Sequence, residues 1–323
     1  MARPDGRPAE VVIISPVLKG GIAAAVIGAL FVLAGFWVGF SLARTDGAAQ
    51  ALDATAAGPT ATPTTAARHP SFDPLQRSVA QILAAAGAVG GVTLMELDGS
   101  GPQTWSLNGD QQFVAASTYK LPLLMEEAQN VTGGRWRGTD TLCFQDSDEE
   151  DGYFNDYHDG TCMSRSQLEH RVGLNSDNTA AHILVRYAGG GTALNRYAQA
   201  HGAKQSTFYD PNMTTTNDLA RLWQDEYRGS AGGKAAQQYL YPILTKTAYE
   251  KGIPAGVPAG TTVVHKIGIL DDEVNDAALV QRGPVGAYIL TIATQDGPGG
   301  DAGWKVLADI SRAVWQFEQT RTA

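Results

Sequence analysis

The order of the elements legible in this sequence predicts an α+β fold. Strand patterns lie towards both ends of the chain's soluble part, helical patterns fill the stretch between them, and an amphipathic helix closes the chain. Residues 75–85 have helical apolar spacing, and 91–99 (GVTLMELDG) and 103–108 (QTWSLN) read as two strands joined by a glycine-rich turn. A helix is expected to begin near Ser117, followed by helices at 166–172, 180–187, 193–201, 216–227 and 235–245. The chain then returns to strands at 261–268, 276–280 and 286–294 before a last helix at 304–317. Such an order implies one sheet built from both ends (71–116 and 246–323) with a helical lobe (117–245) inserted. A site formed by the middle and the ends would lie in the cleft between the lobes.

The 323 residues suffice for one well-buried domain plus extra segments. Residues 20–43, GGIAAAVIGALFVLAGFWVGFSLA, carry no ionisable side chain and are long enough to cross a bilayer. They read as a transmembrane anchor, with a cleaved signal peptide (cleavage at Ala49-Gln50-Ala51) and a buried core helix as the competing readings. Arg3, Arg7 and Lys19 precede the segment. Positive charge on the cytoplasmic side would leave residues 1–19 inside and place everything after Arg44 outside the membrane. Gly35 and Gly39 form a GxxxG through which two such helices could pair. Residues 44–70, rich in Ala, Thr, Gly and Pro, lack the apolar side chains that would offset the entropy of ordering and read as a tether. The net charge is -9 and the first seventy residues are slightly positive, so the rest is strongly acidic and nucleic acid is excluded as a partner.

Cys143 and Cys162 are the two cysteines, and outside the membrane thiols this close are expected to be bonded. The segment between them holds seven acids and no Lys or Arg. Its spacing does not fit a calcium-binding EF-hand loop, so a solvated acidic loop is expected.

The chemistry rests on three short motifs. Ser117-Thr118-Tyr119-Lys120 puts a hydroxyl and an amine three residues apart, a nucleophile beside a base provided that burial or a nearby cation lowers the lysine pKa. Ser176-Asp177-Asn178 lies between two helical segments, where it reads either as an N-cap or as a hydroxyl and an amide facing the cleft. Lys266 sits inside the apolar run VVHKIGIL, where a solvated charge on an apolar stem is the ordinary reading. No HExxH, zinc-spaced Cys/His cluster, GxSxG elbow or phosphate loop occurs. His170, His182 and His201 read as ordinary helix residues.

In order and spacing this set resembles the class A serine β-lactamases and the related penicillin-binding transpeptidases and carboxypeptidases. The resemblance runs from about residue 71 to the C-terminus, including AASTYKLPLL, GLNSDNTAAHIL, TTTNDLARLW and PAGTTVVHKIGILDDEVNDAALV. It implies an antiparallel sheet and an acyl-enzyme mechanism on β-lactams or D-alanyl peptides of the cell wall, with no metal or organic cofactor. Ser117 would attack the carbonyl with Lys120 as proton acceptor. Ser176 would pass a proton to the departing nitrogen, and Asn178 would hold the substrate's amide. Lys266 would face the substrate carboxylate and help keep Lys120 neutral. Next to Gly268, the backbone N–H of Ile269 would join that of Ser117 in an oxyanion hole.

Two departures from the family pattern set further expectations. Ile267 stands where the family has Thr or Ser, removing a hydrogen bond to the substrate carboxylate worth about 1.5 to 3 kcal/mol. The loop AKQSTFYDPNM (203–213) lacks the deacylating glutamate, and Asp210 is its only acid, so release of the acyl group should be slow. The same departures motivate the alternative of a catalytically silent wall-binding or scaffolding module.

Overall fold

Proline at the start of a helix costs nothing, because its missing N–H would have had no partner there, and glycine ends a helix by adopting positive φ. Asp73-Pro74 and Gly87 (φ 67°) bound α1 (Asp73–Ala86) in this way. The computed structural model describes residues 71–99 and 101–321. The expectations of an anchor at 20–43, a tether at 44–70 and a Gly35–Gly39 pairing face lie outside the described residues. Among the described residues no helix is long and apolar enough to cross a membrane.

After α1 come β1 (Val89–Glu96), β2 (Thr104–Leu107), β3 (Phe113–Val114), a 3₁₀ turn (Ala116–Tyr119) and α2 (Lys120–Thr132). A hairpin of β4 (Thr141–Cys143) and β5 (Cys162–Ser164) leads to α3 (Arg165–Asn175), α4 (Asn178–Ala188) and α5 (Gly191–Ala200). Then follow β6 (Met213–Thr214), α6 (Thr216–Tyr227), α7 (Gly233–Leu240) and the short α8 (Ile253–Gly256). The chain closes with β7 (Val263–Leu270), β8 (Glu273–Gly283), β9 (Gly286–Gln295) and α9 (Gly300–Thr320).

The fold is α+β. The main sheet has the order β2-β1-β9-β8-β7 and is antiparallel throughout, so β1, from early in the chain, pairs with β9. One face buries Val92, Leu94, Leu290 and Ile292 against Leu75 and Val79 of α1 and Leu307, Ile310 and Val314 of α9. The opposite face, through Val264, Ala277, Leu279 and Ile289, joins the core of the helical lobe around Leu121, Leu124, Leu184 and Trp223. Burial on both faces explains why β9 reads as a nearly continuous apolar run rather than an alternating one.

Several boundaries differ from the sequence expectation, each for a local reason. β8 is longer than 276–280 because residues outside the apolar run, such as the buried Asn275, also pair with both neighbouring strands. The helix expected at 235–245 ends at Leu240 and tightens into a 3₁₀ turn at Tyr241–Leu244, where Pro242 has no N–H to continue the α pattern. The helix expected from Ser117 begins at Lys120, the serine standing in the 3₁₀ turn before it. The β4–β5 hairpin is too short to show a period in sequence, yet it puts Cys143 opposite Cys162, and the two form a disulfide.

The acidic segment closed by that disulfide is not simply solvated. Asp148 is buried and accepts two hydrogen bonds from Arg186 of α4, Asp156 accepts two from Arg171 of α3, and Glu150 pairs with His182 of α4. Its negative charge is answered from the neighbouring helices, which fixes the loop against the start of α4. The disulfide spans 19 residues, and on chain-entropy grounds a loop of this size contributes about 3 kcal/mol. Replacing both Cys143 and Cys162 by serine should therefore lower the unfolding free energy by about that amount; urea denaturation of the oxidised parent and the double variant measures the difference.

Candidate active site

Ser117 lies in the 3₁₀ turn, directly after Ala116, whose φ of 45° is in the left-handed region. The turn rests on the face of the sheet at Gly268. A Cβ at that position would come within 2.7 Å of the Ala115 carbonyl and 3.1 Å of the Ser117 nitrogen, so only glycine permits the approach. Asn275, which faces Gly268 on β8, donates its side-chain N–H to the Val114 carbonyl at 2.8 Å and holds the turn from below. Asn212 does so from the other side, its Nδ2 donating to the Ala116 carbonyl at 2.9 Å.

Lys120 is fully buried, and its Nζ makes three hydrogen bonds: 2.9 Å to Ser117 Oγ, 2.7 Å to the Ser176 carbonyl and 2.5 Å to Asn178 Oδ1. Two of these partners are carbonyl oxygens that can only accept. A neutral amine has two N–H bonds, and if it gives both to these oxygens its lone pair is left for the Ser117 hydroxyl proton. Burial pushes Lys120 down to about 7, against the pull of Glu150 and Asp177, so the neutral form is accessible near neutral pH.

The α3–α4 junction supplies the middle of the site. Ser176 ends α3 in the left-handed conformation (φ 57°), and Asp177 caps α4 by accepting from the Ala180 N–H at 2.9 Å. Asp177 is thus a cap, while its neighbours Ser176 and Asn178 bond to the lysines of the other two motifs. Ser176 offers its carbonyl to Lys120 and its hydroxyl to Lys266, whose Nζ donates to Ser176 Oγ at 2.8 Å and to the Ile267 carbonyl at 3.0 Å. Lys266 is buried, not a solvated charge, and burial together with the nearby Lys120 holds it well below the ordinary lysine range.

Four residues singled out in sequence, Ser117, Lys120, Ser176 and Lys266, thus form one hydrogen-bonded chain, with Asn178 attached to it. Asn178 also donates its Nδ2 to the Asp151 carbonyl at 2.6 Å and to Glu150 Oε1 at 3.2 Å, so its amide is engaged on both sides. Ile269 lies at the open end of β7 and is partly exposed. The Ile267 side chain points to the opposite face from Lys266, into the apolar cluster with Val263, Val274 and Trp304. Asp210 is exposed and, among the described residues, makes no side-chain hydrogen bond or ion pair.

Two members of the site escape sequence reasoning. Glu150, one of seven acids in its loop, is indistinguishable from its neighbours in the string, and His182 reads there as an ordinary helix residue. The spacing holds a signal for the second, since His182 follows Asn178 by four positions and so shares its helix face. With the protein labelled at lysine with ¹³C, the Lys120 Cε resonance should titrate near pH 7, some three units below an exposed lysine. A midpoint above about 9 would mean that the amine is charged throughout the neutral range.

Comparison with known proteins agrees with this architecture. Residues 74–317 match the model of the beta-lactamase enzyme family. Among solved structures, the β-lactamase from Sphaerobacter thermophilus is 26% identical over 78% of this chain and 99% of its own, with a TM-score of 0.70. PBP-A is 25% identical over 78% of this chain and 100% of its own, also with a TM-score of 0.70, and a point mutant of it has been solved as an acyl-enzyme complex with penicillin G. An ancestral class A β-lactamase, at 24% identity over 75% of this chain and 99% of its own, has a TM-score of 0.68 and shows the fold. No curated protein matches the chain in sequence. The family match begins in the first turn of α1 and reaches the last turn of α9, and the chain belongs to the beta-lactamase enzyme family.

Proposed function

We propose that the protein is a membrane-anchored serine hydrolase of the β-lactamase and penicillin-binding type, forming an acyl-enzyme on Ser117 with β-lactams or D-alanyl peptides. The observation that carries this is the buried amine of Lys120 at 2.9 Å from Ser117 Oγ, with two carbonyl oxygens to take its N–H bonds. Support also comes from PBP-A, whose mutant is an acyl-enzyme with penicillin G.

In the acylation step Ser117 Oγ bonds to the substrate carbonyl carbon as its proton passes to Lys120. The backbone N–H groups of Ser117 and Ile269 receive the oxyanion, a pair in which losing one donor typically costs about 10² to 10³ in rate. The C–N bond then breaks and the nitrogen takes a proton from Ser176 Oγ. Ser176 is resupplied by Lys266, whose Nζ donates to its hydroxyl, and the proton that Lys120 took from Ser117 balances the one given to the nitrogen. Lys266 presents positive charge to the substrate carboxylate, and Asn178 takes the substrate's amide carbonyl in place of its long bond to Glu150.

Residues 20–43 would hold the domain outside the cytoplasmic membrane, and Gly35 and Gly39 would offer a pairing face. Release of the acyl group is expected to be slow, because the 203–213 loop offers only Asp210, which is exposed. A silent wall-binding module is the second reading, favoured by the lack of a glutamate in the 203–213 loop.

Intact-protein mass after penicillin treatment should show one adduct per chain, absent in Ser117→Ala, and the adduct should persist for many minutes. A wild-type protein that takes up no adduct at high penicillin concentration but binds wall fragments favours the silent module, and rapid turnover of a chromogenic cephalosporin overturns slow release. Acylation needs Lys120 neutral, so its rate should rise with pH through about 7 and level off above. A stopped-flow pH profile with a fluorescent penicillin checks the sign.

A further inference from the structure

Glu150 reaches the site from the disulfide-closed loop, on the side of Asn178 away from β7. Its backbone is tied at both ends to Thr179, whose Oγ1 accepts from the Glu150 N–H at 3.1 Å and donates to the Glu150 carbonyl at 2.9 Å. One carboxylate oxygen, Oε2, pairs with His182 Nε2 at 2.7 Å. The other, Oε1, has a single long contact, 3.2 Å from Asn178 Nδ2, and the side chain is about half exposed. The carboxylate also lies close enough to Lys120 for each to shift the other's titration, and the hydrogen bond from His182 keeps it ionised.

Two other acids, one beside the nucleophile and one in the 203–213 loop, are committed or exposed. Asp177 is buried and already accepts from the Ala180 and Phe154 N–H groups and the Tyr157 hydroxyl. Asp210 is exposed and unconnected to the site. Glu150 combines an ionised, fixed carboxylate with an oxygen that a water can still use. A substrate carbonyl that takes the Asn178 N–H releases that oxygen at the moment the acyl-enzyme forms.

We infer that Glu150 is the base that activates the water releasing the acyl group from Ser117, taking the place of the glutamate missing from the 203–213 loop. The inference rests on the acyl-enzyme function proposed above. As the water oxygen bonds to the acyl carbon, one of its protons passes to the Glu150 carboxylate. The C–Oγ bond then breaks, and Ser117 Oγ leaves with a proton from Lys120, which Glu150 replaces. The product departs as a carboxylic acid and loses its proton to solvent. His182 makes Glu150 a weak base while keeping it in place, which is consistent with slow release.

The test is Glu150→Gln, which keeps the side chain's shape but cannot take the proton, compared with Asp210→Asn and wild type in acylation and release of a fluorescent penicillin. Glu150→Gln should still acylate and should hold the label about 10²-fold longer, the lower end of what a positioned base contributes, while Asp210→Asn should match wild type. Unchanged release in Glu150→Gln overturns the inference, as does longer retention in Asp210→Asn. Failure of Glu150→Gln to acylate overturns it too, by assigning Glu150 to Lys120 and the first step. A wild-type protein that never labels removes the acyl-enzyme function itself, an outcome distinct from these.

Discussion

Two buried amines bonded to the same residue are costly to charge, and the site is built around the residue that joins them. Ser176, held in the left-handed conformation at the end of α3, gives its carbonyl to Lys120 and its hydroxyl to Lys266. Burial strips both amines of hydration and lowers both, and the nearby Lys120 lowers Lys266 further. The sheet, which carries Lys266, and the helical lobe, which carries Lys120 and Ser176, are joined by this contact. A displacement of the α3–α4 junction would disturb both amines together.

Electrostatic balance at the site comes from outside the three motifs. Glu150 and Asp177 oppose the loss of the proton from Lys120, so that it settles near neutrality instead of far below it. On the other face of β7, burial works against a charge on His265, yet Asp276 and Glu250 outweigh it and raise the imidazole to about 9. Neighbouring residues of one strand are thus shifted in opposite directions: two carboxylates favour the charged form of His265, whereas burial and the nearby Lys120 lower the pKa of Lys266.

Much of this was legible in the sequence because it depends on short-range pattern. Pro74 and Gly87 mark α1, Asp177 marks the start of α4, and the apolar runs of β7 and β9 mark strands buried on both faces. The motif residues could be named because a serine and a lysine three apart, a second serine and a late lysine stand in a fixed order. What could not be read depends on where loops land. Nothing in the string DSDEED singles out the one acid that meets His182, since that choice is made by the cystine, by the pairing of Asp148 and Asp156 with arginines, and by Thr179. Ile267 shows the same limit: the sequence records a missing hydroxyl, and only the register of β7 reveals that the side chain faces Trp304 and the core.

β7 is the last strand of the sheet and has β8 on one side only. A bare strand of eight residues is a template on which a second chain could add itself, and proteins discourage this by turning charged side chains inward and breaking the apolar run. Lys266, Gly268 and the pair Asp271-Asp272 just beyond the strand do so here. The lysine that the proposed chemistry would use is thus also an inward-turned charge of the kind that discourages pairing at a sheet edge.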